Sequence, residues 1–157
     1  MSRYAKETSV SVERSRAELE TVLSRYGADE FGYATRKGCA VVVFTFKGRA
    51  IRLTVPLPDR MSDEFWKTPA RKYRRSEDSA HAAWEQACRQ RWRALVLVVK
   101  AKLEAVDVEI LTFDQAFLPH LVLPSGQTFG EWAEPQIEGL PEGRMPLLLP
   151  DFGEAGP

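Results

Sequence analysis

The stretch Cys39-Ala-Val-Val-Val-Phe-Thr-Phe-Lys-Gly-Arg-Ala-Ile-Arg-Leu-Thr-Val55 decides the fold. Two runs rich in β-branched and aromatic residues, Cys39–Phe46 and Arg49–Val55, flank a Lys47-Gly48 pair that suits a two-residue hairpin turn. Closure there sets Phe46 opposite Arg49, Phe44 opposite Ile51, Val42 opposite Leu53 and Ala40 opposite Val55. Strand side chains alternate with a period of two, so this set forms a core face. The opposite face, Val41, Val43 and Thr45 beside Ala50, Arg52 and Thr54, is moderately apolar, to be covered by later chain or by a partner. Upstream, Phe31–Thr35 reads as another strand, joined through Lys37-Gly38 to complete an antiparallel meander.

Helical spacing surrounds the meander. Val12, Leu19, Val22, Leu23 and Tyr26 recur at helical intervals after Ser11, a good cap, and before Gly27, a good stop. Ser76 or Ser79 opens a long helix to about Glu104, with Trp84, Cys88, Trp92, Leu95, Val99, Leu103 and Val106 as its apolar stripe. Between sheet and long helix, residues 56–78 carry three prolines and the run Arg71-Lys-Tyr-Arg-Arg75, which reads as an extended, mobile crossing. Val106–Leu111 reads as a fourth strand. Two capping boxes, Thr112 with Gln115 and Thr128 with Glu131, open short C-terminal helices. The expected class is α+β, with one domain over residues 1–140 and a Pro/Gly-rich arm or tail over 141–157 that includes Met145–Pro150 as an apolar patch.

Hydrophobic residues are 44% and charged residues 28% of 157, the mixture of a globular chain large enough to bury a core. The apolar run Ala94–Val99 is too short for a bilayer, and the N-terminus lacks a signal-peptide pattern, so a cytoplasmic protein without membrane association is expected. The zero net charge hides a division. Residues 1–59 hold ten Lys/Arg against seven Asp/Glu, residues 60–102 hold eleven against five, and residues 103–157 hold one against ten. Either an anionic partner meets the middle segment, or basic and acidic segments meet within or between molecules.

Metal-dependent phosphodiester cleavage needs carboxylates converging from adjacent strands. Cys39–Phe46 and Arg49–Val55 contain none, and the Asp107/Glu109 pair has no lysine after it. No phosphate-binding glycine loop, G-x-S-x-G elbow or H-E-x-x-H motif occurs. Cys39 and Cys88 have no metal-ligand spacing with His81 or His120 and read as buried free thiols. A non-enzymatic protein without cofactor or metal is therefore expected. The positive signal is basic and aromatic: Arg71, Lys72, Arg74 and Arg75 beside Trp66 and Tyr73, then Arg89, Arg91 and Arg93 on the long helix. Cations neutralise phosphates and aromatic rings stack on unpaired bases, a pairing suited to single-stranded nucleic acid. The same cations also suit a solvated helix face paired with acids such as Glu85.

The run Ala83-Trp-Glu-Gln-Ala-Cys-Arg-Gln-Arg-Trp-Arg-Ala-Leu95, with Lys100-Ala-Lys-Leu-Glu-Ala105 after it and Pro56-Leu-Pro-Asp-Arg60 before it, resembles an uncharacterised family of small phage and prophage proteins. The resemblance implies context alone: a bacterial host cytoplasm, and roles in DNA recombination, replication or host-protein binding. Helix, three strands, helix and strand in that order are also shared with double-stranded-RNA-binding domains, single-strand-annealing cores and the restriction-endonuclease core, a likeness of order and not of chemistry. The leading expectation is a phage-type accessory protein binding nucleic acid, chiefly DNA, with the named cations on phosphates. The alternative is a protein-interaction module that docks on a copy of itself or on a host or phage protein through its acidic C-terminal segment.

Overall fold

The computed structural model describes residues 5, 7–70, 73–140 and 143. Its elements are α1 (Val12–Arg25), β1 (Glu30–Arg36), β2 (Cys39–Phe46), β3 (Arg49–Pro56), α2 (Asp63–Trp66), α3 (Glu77–Asp107), α4 (Phe113–Phe117), a 3-10 turn (Leu118–His120) and α5 (Phe129–Glu138). The class is α+β. Among the described residues no helix is long and apolar enough to cross a membrane.

The meander has strand order β1-β2-β3, and its central hairpin has the pairing that its turn dictates. Lys47 and Gly48 both take positive φ (48° and 75°), the twist that matches flanking strands, and Phe46↔Arg49 through Cys39↔Pro56 pair in register. Ala40, Val42, Phe44, Ile51, Leu53 and Val55 are buried on one face. Against that face pack Leu19 and Leu23 of α1 and Trp92, Val96, Val99 and Leu103 of α3, in one cluster with Ala116 and Phe117. Full burial of a side chain such as Leu19, Phe44 or Val96 contributes roughly 1.5–3 kcal/mol. Phe117 meets Phe44 edge-on (5.8 Å) and stacks with Phe113 (4.7 Å), which in turn stacks with Phe46 (4.0 Å), so α4 closes one end of the core.

Capping follows local chemistry. The Ser11 hydroxyl accepts from the Arg14 amide and the Ser76 hydroxyl from the Ser79 amide, and both capping boxes form. Across α1 and α3, Glu18 accepts hydrogen bonds from Arg93 (2.6 Å) and Lys100. The lysine bond chiefly holds the Glu18 carboxyl below its ordinary range; partial burial opposes this and Arg93 adds to it.

Two expectations are corrected. Val106–Leu111 is not a strand. Helix α3 continues through Val106 and Asp107 because Leu103 and Val106 keep packing on the core, and the chain then stops in a capping turn with Glu109 at positive φ. The amides of Ile110 and Leu111 both donate to the Ala105 carbonyl (2.9 and 3.1 Å), which leaves Val108 and Ile110 exposed. The far edge of β3 is instead taken by the segment after α4: Leu121 bridges to Ile51, and the Val122 amide donates to the Ala50 carbonyl (2.9 Å). The described part of the 56–78 crossing, residues 56–70 and 73–78, also holds more regular structure than an extended crossing. It contains α2 and a Lys67↔Arg74 bridge, with the Arg75 amide donating to the Trp66 carbonyl (2.7 Å). The second sheet face is partly covered by later chain: Arg52 donates to the Gly126 carbonyl (2.8 Å) and pairs with Glu131 (2.7 Å). The 141–157 arm with its Met145–Pro150 patch lies outside the described residues, Gly143 excepted.

Candidate functional site

A cavity of about 530 Å³ opens where the start of α1, the β1–β2 turn, residues 57–60 and α3 meet. Its position follows from three local features. Gly38 takes φ +80° in the tight β1–β2 turn, which brings Arg36 and Lys37 to the rim. The segment leaving β3 is held over α3 because the Trp84 indole donates to the Pro58 carbonyl (2.9 Å). Trp84, Cys88 and Trp92, four residues apart, line one side of α3 and form the wall beneath it.

Arg16 is the unusual member. It falls between Val12 and Leu19 on the apolar stripe of α1, and its guanidinium lies between the rings of Tyr33 (4.4 Å) and Trp92 (4.6 Å). Nη2 donates to the Thr35 hydroxyl (3.3 Å), while its buried Nε has no hydrogen-bond partner. Arg16, Arg36, Lys37, Arg60 and Arg89 face the cavity with Glu13, Asp59 and Glu85. Arg60 reaches Glu77 at 3.9 Å, and Glu85 pairs with His81 (3.3 Å). Arg89 donates to the Gln86 side-chain oxygen (2.9 and 2.6 Å). Among the described residues Arg16, Arg36, Lys37 and Arg89 have no acidic partner within ion-pair distance. Burial first, and Glu85 second, push the Cys88 thiol up and disfavour its thiolate.

Beyond Arg60 lie the two described arms of a hairpin, residues 66–70 and 73–75, bridged at Lys67↔Arg74. The Trp66 indole donates to the Arg60 carbonyl (3.0 Å), and the Arg74 guanidinium covers its ring at 5.0 Å. Trp66 is thus half-buried with one face occupied, whereas Tyr73 stands 74% exposed, open for stacking. Arg75 is half-buried and lines a recess shared with Asp63 and Glu64. Arg71 and Lys72 lie outside the described residues. On α3, Arg89 faces the cavity and Arg93 is engaged with Glu18, while Arg91 is exposed and does not line the cavity. The structure therefore brings Trp66, Tyr73, Arg74 and Arg75 together, places Arg89 in the cavity lining with Arg60, and separates Arg91 and Arg93 from both.

Sequence reasoning missed Arg16, Arg36, Lys37 and Arg60, and put Trp84, which lines the cavity, on the core stripe, whereas Trp92 is buried in the core as expected. A charged residue on the apolar stripe of α1 was the one legible sign; the others converge only through tertiary folding. Among the described residues no group of three His, Cys, Asp or Glu side chains is placed to hold a metal ion. Asp107 ends α3, and Glu109 sits in the turn after it, both exposed. The chain matches no family model, no curated protein and no solved structure.

Proposed function

We propose that this chain is a non-enzymatic nucleic-acid-binding accessory protein, of the kind that handles single strands during phage DNA recombination or replication in the bacterial cytoplasm. The observation that carries this reading is the cavity itself: four cations without acidic partners beside two indoles, continuous through Arg60 with a hairpin bearing Arg74, Arg75 and an exposed Tyr73. A strand crossing it would set phosphates on Arg36, Lys37, Arg89 and Arg74 and stack a base on Tyr73. The volume of about 530 Å³ has room for an unpaired base against Trp84. The test is fluorescence anisotropy with labelled single- and double-stranded DNA and RNA of equal length across a salt series. Salt-dependent binding that Arg36→Ala with Lys37→Ala weakens is the expected result; no binding at low salt refutes the proposal.

A second reading, a protein-interaction module, is favoured by α5. This helix has no buried residue, and Trp132, Ile137 and the following Leu140 are exposed beside Glu131, Glu134 and Glu138. Replacing Trp132 and Ile137 by serine separates the two: loss of assembly with nucleic-acid affinity at background favours the second reading.

A further inference from the structure

We propose that a second copy of this chain pairs with the outer edge of β1, joining two three-stranded sheets into one of six strands. The proposal does not rest on the nucleic-acid reading, but the two share Arg36, which gains an acidic partner in the dimer. The two edges of the sheet are treated differently: β3 is covered by Leu121 and Val122, whereas among the described residues nothing pairs with the outer edge of β1. That edge is seven residues long, Glu-Phe-Gly-Tyr-Ala-Thr-Arg, and has no proline. It carries no charge between its two ends, so it lacks the usual devices that blunt an open edge.

The direction of its backbone groups follows from the ladder. The Leu57 amide donates to the Gly38 carbonyl (2.9 Å), so in an alternating antiparallel ladder Ala40, Val42 and Phe44 turn their backbone groups to β3. Val41 and Val43 then turn theirs to β1, where Ala34 and Gly32 receive them. Phe31, Tyr33 and Thr35 are left presenting N–H and C=O outward. Arg16 packed on the Tyr33 ring and bonded to the Thr35 hydroxyl holds these two side chains on the helix-covered side, clear of the edge.

Charge selects the occupant. In a two-fold antiparallel arrangement centred on Tyr33, each Tyr33 exchanges backbone bonds with its counterpart, and Phe31 does so with Thr35 of the second copy. Glu30 then stands opposite Arg36 of the second copy, twice, at non-hydrogen-bonded positions where opposing side chains are closest. Both charges are exposed in the single chain and have no ion-pair partner among the described residues. Centring on Phe31 or Thr35 leaves part of the strand unpaired and neither charge matched. The second copy would also place its Phe31 and Glu30 beside Thr35 and Arg36, at the rim of the cavity.

The test is mass against concentration by sedimentation or light scattering, on the full chain. The mass should rise from 17.8 kDa toward twice that value. Glu30→Arg and Arg36→Glu should each raise the dissociation constant about tenfold or more, since each turns two opposite-charge pairs into like-charge pairs, and the double variant should restore it. Amide exchange reads the same contact without mutation: Phe31, Tyr33 and Thr35 should gain protection with concentration while Gly32 and Ala34 do not change. A mass of 17.8 kDa at every concentration overturns the proposal. So does a dimer indifferent to both charge reversals, or edge protection already complete in the monomer.

Discussion

Replacing Glu18 by Gln tests the seam that positions α1 over α3. The carboxylate is 27% exposed and accepts hydrogen bonds from Arg93, 22% exposed, and from Lys100, 43% exposed. Exposed ion pairs contribute up to about 1 kcal/mol, whereas removing one partner of a buried pair costs about 3–5 kcal/mol. This triad lies between, with Lys100 able to turn toward water and Arg93 less so, so Glu18→Gln should cost about 1–2 kcal/mol. For a chain of this length that corresponds to a loss of roughly 2–8 °C in Tm. The sign of the pH dependence follows from the direction of the shift. Glu18 is held below its ordinary range in the folded chain, so its contribution is complete above the unfolded value and is lost as pH falls through the folded value. Urea midpoints of both proteins at neutral pH and at about pH 3, below the ordinary glutamate value, are the assay. The gap between the two proteins should shrink on acidification. A gap of equal size at both pH values, or none at neutral pH, would refute the argument that charge, not packing, ties the two helices.

Three further outcomes are expected. Replacing Arg71, Lys72, Arg74 and Arg75 together by alanine should weaken nucleic-acid binding and flatten its salt dependence by about 0.7 in log–log slope for each phosphate no longer neutralised; unchanged affinity and slope would remove the hairpin from the interface. Gly130→Ala should destabilise by about 1–3 kcal/mol in denaturant titration, because an added Cβ would lie 2.8 Å from the Pro119 carbonyl oxygen, a backbone atom that cannot swing aside. Cys88 should react with a thiol reagent more slowly than the half-buried Cys39 under native conditions, since burial and Glu85 both disfavour its thiolate; site-resolved mass spectrometry giving the reverse order would sink this account.

The central hairpin was legible because two signals with different origins agree there. The period-two apolar pattern sets which residues share a face, and Lys47-Gly48 sets which residues oppose each other. The capping boxes were legible because their hydrogen bonds are local. Val106–Leu111 misled because Val106, Val108 and Ile110 alternate as a strand would, while the continuation of α3 depends on Leu103 and Val106 meeting a core that the sequence does not display. The site shows the same limit. Arginines 89, 91 and 93 are neighbours in sequence, yet at about 100° per residue the first and second point nearly opposite ways. Arg93 is then drawn to an acid 75 positions earlier in the chain. Charge density along the chain located the hairpin but not the cavity, whose rim comes from α1, a turn, a proline-rich segment and α3.

The uneven distribution of charge finds part of its resolution at β3. Asp114 pairs with Arg49 (3.1 Å) and Glu131 with Arg52 (2.7 Å), so two acids of the last segment meet cations of the first segment rather than those of the middle one. Within the middle segment, Lys67 pairs with Asp63 and Arg60 approaches Glu77, both acids of the same segment. Among the described residues the acids of the last segment thus do not neutralise Arg16, Arg36, Lys37 or Arg89. On the proposed reading, cations without acidic partners around a cavity lined by two indoles would attract an anion with a flat apolar part, because each component removes a different share of the ligand from water. A simple inorganic anion would satisfy the charges and leave Trp84 unused, and a neutral aromatic would do the reverse. An inorganic phosphate that competed with single-stranded DNA at equal concentration would therefore show that the indoles contribute nothing, and the cavity would have to be read as a charge site alone.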